Sequence, residues 1–234
     1  MKKAISVLGC VLLAFVAFVP LGTIVCLRCD WVLELTGAAA FYLAGAVLAL
    51  AALILSLRAN PVESVPIAWI YAVTALLSIV GLLFAAVLYC DTPLAVVFAM
   101  LTTLGCIGLA IMHVPSRTLQ IIGIVLSMVL MIPAAYMTFL ILLFGNIGCT
   151  TVVQSAVSPD GAYYAELIDD DQGALGGNTE VLVRDNWCFD GLFFNVTEQS
   201  RVIYHGKWGE FKDMTIRWKD NRCLLINDNE YPIE

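Results

Sequence analysis

Five apolar runs, at residues 4–25, 31–57, 66–89, 93–114 and 118–145, dominate the first part of this 234-residue chain. Each is about 20 residues or longer. At about 1.5 Å of rise per residue, that is enough helix to cross a hydrocarbon core about 30 Å thick. None of the runs offers a polar face that water could solvate, so a soluble helical core is disfavoured. The breaks are short and punctuated: Arg58-Ala59-Asn60-Pro61 ends the second run, Asp91-Thr92-Pro93 separates the third and fourth, and Pro115-Ser116-Arg117 precedes the fifth. Connections this short make neighbouring helices antiparallel. The expected fold class is a membrane all-α bundle of five transmembrane helices over residues 1–148, followed by a small all-β domain, an antiparallel meander, over 149–234. Composition agrees, because 61% of residues are hydrophobic and 13% charged, about half the charged share of an ordinary soluble domain.

Positive charge sets the expected orientation. With the N-terminus inside, Lys2, Lys3, Arg58 and Arg117 face the cytoplasm and Arg28 alone faces out, as the excess of Lys and Arg on cytoplasmic ends requires. Five crossings then carry the C-terminal domain to the extracytoplasmic side of a bacterial plasma membrane. The first run is read as a retained helix, because its apolar stretch exceeds the usual 7–15 residues of a signal core. Val7-Leu8-Gly9-Cys10 is similar to a lipoprotein box, but too few apolar residues precede it. Trp31 and Tyr89 are expected at the outer membrane edge and Trp69 and Tyr71 at the inner one. Gly37, Ala40, Ala44, Gly81 and Ala85 are candidates for close helix contact, and Pro133 for a kink. No Asp, Glu, Lys or Arg stands near the middle of a run, which argues against an ion or proton pathway.

Residues 1–145 hold five basic and four acidic side chains, a net of +1, whereas residues 146–234 hold seven and fifteen, a net of −8. The hydrophobic period also changes there, from helical to alternating. Strands are expected near 152–156, 162–168, 179–184, 201–204, 214–218, 223–226 and 231–233, separated by Ser158-Pro159-Asp160-Gly161, by residues 173–178, and by turns at 219–221 and 227–229. Trp187, Trp208, Trp218, Phe193, Phe194 and Phe211 are the expected core. A net of −8 disfavours nucleic acid, whose phosphates need clustered positive charge. The lipid bilayer and a protein or envelope partner of the β domain are the expected partners.

The stretch Ser158-Pro159-Asp160-Gly161-Ala162-Tyr163-Tyr164-Ala165 resembles the opening of propeller-type β repeats. Residues 156–184, through Asp171-Gln172-Gly173 and Gly176-Gly177-Asn178-Thr179 to Val181-Leu182-Val183, resemble a domain of unknown function in uncharacterised Firmicute proteins. Those proteins are commonly membrane-anchored or secreted, which implies the same for this chain. The resemblance brings no catalytic residues.

Three groups of residues carry candidate chemistry. Asp169, Asp171 and Glu180 fall at positions one, three and twelve of an EF-hand count. Ala174 at position six and strand-like flanks favour a solvated hairpin loop instead. Of eight cysteines, Cys26, Cys29, Cys90, Cys149, Cys188 and Cys223 fall on the expected outer side, where disulfides persist; Cys188 with Cys223 is a candidate structural disulfide. Cys26-Leu27-Arg28-Cys29 resembles the first loop of quinone-linked membrane thiol oxidases of the DsbB type. That likeness implies a redox pair at Cys26 and Cys29, relayed through Cys90, with quinone as the electron acceptor. His113 and His205 fall on opposite sides of the membrane and cannot act together. The expected function is non-enzymatic, with the bundle anchoring a β domain that binds a partner or envelope component. The alternative is a membrane thiol–disulfide oxidoreductase using Cys26 and Cys29. No cofactor or metal is expected under the first reading.

Overall fold

The computed structural model describes residues 2–59, 65–89, 92–114, 116–144, 149–173 and 176–233. Asn60, Pro61, Cys90, Asp91, Pro115, Ala174 and Leu175 lie outside them. The chain divides into two compact units, one of Met1–Val25 with Leu35–Gly145, the other of Cys26–Glu34 with Asn146–Glu234.

The first unit is helical: α1 (Lys2–Arg28), α2 (Ala38–Ala59), α3 (Val65–Leu88), α4 (Pro93–His113) and α5 (Arg117–Phe144). Four of them, from Lys3 to His113, contain stretches long and apolar enough to cross a membrane. Half or less of each stretch is buried, yet what it exposes is Val11, Leu50, Leu76 and Leu104. A surface of that kind suits hydrocarbon rather than water, which identifies a membrane protein. Pro20 and Pro133 both stand inside helices.

Small residues and hydroxyls let these helices approach. A Cβ built on Gly105 of α4 would lie 2.8 Å from the Ala49 Cβ of α2, and one on Gly45 would lie 2.6 Å from the Phe15 ring of α1. A Cβ on Gly81, expected at a close contact, would lie 3.5 Å from the Val16 carbonyl oxygen, whereas one on Gly37 would meet Ala40 at 3.9 Å. The Thr103 hydroxyl of α4 donates to the Ser78 carbonyl of α3 (3.0 Å) as well as to Ala99 in its own helix. Interhelical bonds of this kind satisfy polar groups that lipid cannot. Tyr71 is fully buried, donates to the Ile5 carbonyl (2.9 Å), and lies tilted against buried His113. Its ring occupies the space left by Gly9.

The start of the second apolar run is not helical. Asp30 takes a left-handed turn (φ 57°) and Trp31–Leu35 forms strand β1, with Leu33 and Leu35 buried and Val32 and Glu34 less so. Alternation at i and i+2 is the signature of a half-buried strand. The five residues looked helical only because an alanine-rich helix follows them.

The second unit contains β2 (Cys149–Val157), β3 (Tyr163–Asp171), β4 (Gly177–Asp185), β5 (Cys188–Asp190), β6 (Phe194–Glu198), β7 (Arg201–Lys207), β8 (Ile216–Asp220), β9 (Cys223–Ile226) and β10 (Asn229–Pro232). One meander was expected; the strands instead form three sheets, ordered β2-β3-β4-β7, β1-β6-β5 and β10-β9-β8. The physical reason is that β5 and β6 interrupt the run between β4 and β7, pair with each other, and extend through β6 onto β1. The four-stranded sheet is antiparallel throughout. Its core face supplies Ala165, Leu167, Val181 and Val183, which pack with Met214, Ile216, Leu224, Ile226 and Ile233. The core is therefore aliphatic, contrary to the aromatic expectation. Trp187 and Trp208 are exposed, and only Trp218 and Phe211 pack beside the cluster.

Polar side chains seal the seam between β2 and β8. At the β2 bulge the Gln154 amide donates to the Ile216 carbonyl (2.9 Å) and accepts from its N–H (3.1 Å), while Trp218 Nε1 donates to the Ala156 carbonyl. Ser158-Pro159-Asp160-Gly161 is the β2–β3 turn: Asp160 accepts from the Ser158 hydroxyl (2.6 Å) and the Ala162 N–H (3.1 Å), and Gly161 holds φ 75°. The Ser158 hydroxyl bond, before all else, keeps the Asp160 carboxyl below its ordinary range.

Gly105→Ala should overpack the α2–α4 contact and destabilise the bundle by roughly 1–3 kcal/mol. Gly123→Ala in α5, where nothing lies within 4 Å of the added carbon, should instead stabilise it by roughly 0.5–1 kcal/mol through the chain entropy removed. Thermal unfolding midpoints in detergent micelles should move in opposite directions.

Candidate functional site

A groove opens at the end of β4 and β7, lined by Gly177, Asn178, Tyr204, His205, Gly206, Lys207, Trp208, Gly209 and Glu210. Gly209 turns the chain with φ 80°, a left-handed conformation that favours glycine, and a 3₁₀ turn at Glu210–Asp213 follows. That turn brings the Glu210 carboxylate back onto the strand. It accepts from the Tyr204 hydroxyl (2.8 Å) on one oxygen and from the Lys207 N–H (2.9 Å) on the other. The tyrosine bond is the first reason that the Glu210 carboxyl lies below its ordinary value and the Tyr204 phenol above its own. Phe211 N–H donates to the buried Thr179 hydroxyl, which secures the turn from beneath.

Trp208 is the central feature. A Cβ on Gly177 would lie 2.6 Å from the indole Cδ1 and 2.9 Å from Nε1, so the ring's pyrrole edge lies against bare backbone. It nevertheless remains 55% exposed. On the opposite face of the same strands His205 Nδ1 and Glu180 Oε1 pair at 3.0 Å, across the β4–β7 register that sets Glu180 opposite His205 and Asn178 opposite Lys207. A half-bare indole in a groove that Asn178, Tyr204, His205, Lys207 and Glu210 also line provides a stacking surface with polar residues along the same groove. The sequence signal for this site is Gly206-Lys207-Trp208-Gly209, since a tryptophan between glycines marks a turn tip rather than a core position.

A second groove is lined by Asp30, Tyr163, Asp185, Glu198, Gln199, Ser200 and Arg201. The Asp185 N–H donates to Glu198 (2.6 Å) and the Gln199 N–H to the Asp30 carbonyl (2.9 Å).

The candidates singled out from sequence separate. Asp169 and Asp171 lie on the core face of β3, because Asp169 pairs with Thr179 and Asp171 with Gly177. Glu180 pairs with Ile168 and so lies on the opposite face. Asp171 accepts from the Gly173 N–H (2.8 Å), while Glu180 holds His205. The EF-hand spacing thus corresponds to two faces of one hairpin. Among the described residues no group of three His, Cys, Asp or Glu is arranged to hold a metal ion.

Cys188 and Cys223 are separate thiols. Cys188 donates to Asp190 (3.1 Å), which is the first cause pushing its thiol above the ordinary value, and Cys223 lies 3.9 Å from Glu230. They belong to different sheets. Cys26 is buried in the last turn of α1 and Cys29 is exposed just beyond it, its N–H donating to the Cys26 carbonyl (2.9 Å). Both are free thiols. Cys90, the proposed relay, lies outside the described residues.

No family model, curated protein or solved structure matches this chain.

The Glu210 carboxyl has an ordinary value of 4.5 and a lower one when folded. Its stabilisation of the 204–211 turn is therefore complete above that value and is lost as the pH falls through the folded one. Amide exchange in residues 204–211 should speed up on acidification relative to the β9–β10 hairpin. Glu210→Gln should raise exchange at neutral pH and flatten this dependence.

Proposed function

We propose that this is a multi-pass membrane protein whose bundle anchors the β unit on the extracytoplasmic side, where the Trp208 groove binds a saccharide-bearing envelope component. The carrying observation is the indole seated on Gly177 yet half exposed, in an open groove that Asn178, His205 and Lys207 also line. A sugar ring offers such a surface a C–H face to stack on the indole and hydroxyls to bond the surrounding donors and acceptors. Most of what the chain shows is a scaffold for that surface. The Trp208 groove is open rather than an enclosing apolar cavity, and an open groove suits a polymer that passes through it.

Five crossings support the extracytoplasmic side. Strand β1 lies between α1 and α2, and it belongs to the same sheet as β5 and β6. Residues 31–35 and 188–198 therefore occupy one side of the membrane. Helices α2, α3 and α4 supply three crossings between them, an odd number, so a fourth is required. The 28-residue α5, apolar through most of its length, is the helix we assign to it. The distribution of Lys2, Lys3, Arg58 and Arg117 against Arg28 supports the exterior for that shared side.

Full-length protein in nanodiscs, titrated with chitotetraose and with muropeptides released from peptidoglycan, tests the groove. Saturable binding that shifts tryptophan emission is expected, and Trp208→Ala should weaken it at least tenfold. Binding by neither probe, or binding indifferent to Trp208→Ala, overturns the saccharide reading. Topology has a separate test, using single cysteines introduced by Asn221→Cys and Ser116→Cys in a background whose native cysteines are serine. A membrane-impermeant maleimide should label the first on intact cells and the second only after permeabilisation. Labelling of both from one side rules out the crossing by α5.

A further inference from the structure

The β5–β6 hairpin exposes apolar groups that its own fold does not use. Leu192 at the tip is 96% exposed, and Phe189, Phe193 and Trp187 are also exposed. The tip is well defined: the Gly191 N–H donates to the Phe194 carbonyl (2.7 Å), and a Cβ at Gly191 would strike the Phe194 ring at 2.6 Å. Phe194 packs on both Phe189 and Phe193, at centroid distances of 6.0 and 5.5 Å. The aromatic side chains are thus organised around one rigid turn. A soluble domain keeps such groups away from water unless something covers them.

Chain connectivity says what covers them. The apolar span of α1 ends at Arg28, and β1 begins three residues later at Trp31. Three residues of extended chain reach roughly 10 Å, so Trp31 lies within or just above the headgroup layer, the depth at which tryptophan concentrates. Trp187 packs on Trp31 with centroids 5.6 Å apart. In the sheet order β1-β6-β5, the hairpin strands are the first and second neighbours of β1. At about 4.8 Å per strand, both lie within roughly 10 Å of it. The exposed hydrophobic tip is therefore tethered within reach of the bilayer surface by two covalent ties, because β1 leads directly into α2 as well.

We propose that the β5–β6 hairpin is a lipid-binding element that seats Phe189, Leu192 and Phe193 in the interfacial layer of the leaflet from which α1 and α2 emerge. The inference rests on the membrane reading above, but not on orientation or on the saccharide groove. Amphipathic side chains in that layer bury their apolar bodies about 5–10 Å into the headgroup and acyl boundary. Docking the tip there fixes the β unit with two anchors, the strand β1 and the hairpin, in place of one.

The test uses the full chain in phosphatidylcholine vesicles with brominated acyl chains. The variants are Leu192→Trp, at the tip, and Asn221→Trp, in the exposed β8–β9 turn; emission of the unsubstituted chain is subtracted from each. The indole at 192 should be blue-shifted and quenched at least twofold more strongly than the one at 221. Equal quenching at both positions overturns the proposal. So does a tip indole that bromolipid leaves unquenched, including one whose emission follows the protein-to-lipid ratio, which would identify a second copy of the chain as the cover. Co-flotation of the unsubstituted chain separates the two levels. A chain that fails to float overturns the membrane reading and this proposal with it, whereas one that floats with an unquenched tip overturns this proposal alone.

Discussion

The hydrogen bonding that places β1 in a sheet with β6 is the interaction on which the rest of the molecule depends. Without it, residues 29–37 would be a short linker between two apolar helices. With it, a segment bounded at both ends by helices becomes a structural part of the β unit, and the division of the chain ceases to follow its order. Backbone groups of an extended segment cannot be left bare beside a hydrocarbon phase. Pairing with β6 satisfies them, and burial of Leu33 and Leu35 adds an apolar return.

The two units solve the problem of close packing with different materials. In the helical unit the outer surface is apolar, so hydrophobicity cannot tell inside from outside; size and polarity must. The inside therefore collects Gly45, Gly105, Ala49 and Ala52 with hydroxyls such as Thr102, Thr103 and Ser78. Each of these three hydroxyls is satisfied by a carbonyl of its own or a neighbouring helix. In the β unit water supplies the contrast, and the inside is Leu, Ile and Val at alternate positions of β3, β4, β8 and β9. Its seam is closed by Gln154 standing in for a strand neighbour of Ile216.

How legible this was depended on which signal each residue carried. The helices were plain because length and hydropathy alone specify them, and β9 falls at residues 223–226 as its alternation suggested. Strand β1 was not, because Trp31-Val32-Leu33-Glu34-Leu35 adjoins an alanine-rich run and its partner lies more than 150 residues away in the chain. Strands β5 and β6 are short, and what marks them is pairing with each other and with β1 rather than any pattern of their own. Tryptophan misled for a related reason. Its size suggests burial, but Trp208 sits between glycines at a turn and Trp187 follows a strand end, and neighbours such as these decide exposure more than residue type does. The acidic triplet misled through spacing alone, since a count along the chain ignores that adjacent strand residues face opposite ways.

The position of Trp208 follows from this logic and explains why its neighbours are what they are. An indole lying on a strand needs a residue beneath it without a side chain, which Gly177 provides, and a chain reversal after it, which Gly209 provides at positive φ. The reversal would splay if its carbonyl and amide groups were left to water. Glu210 prevents this by bonding Tyr204 and Lys207 at once. Tyr204 in turn packs edge-on against Tyr231 beside the aliphatic core, so the ring that water touches is coupled through one carboxylate to the residues that water does not. A surface held this rigidly loses little conformational entropy when something stacks upon it, which is the property a weakly structured, polymeric ligand requires of its receptor.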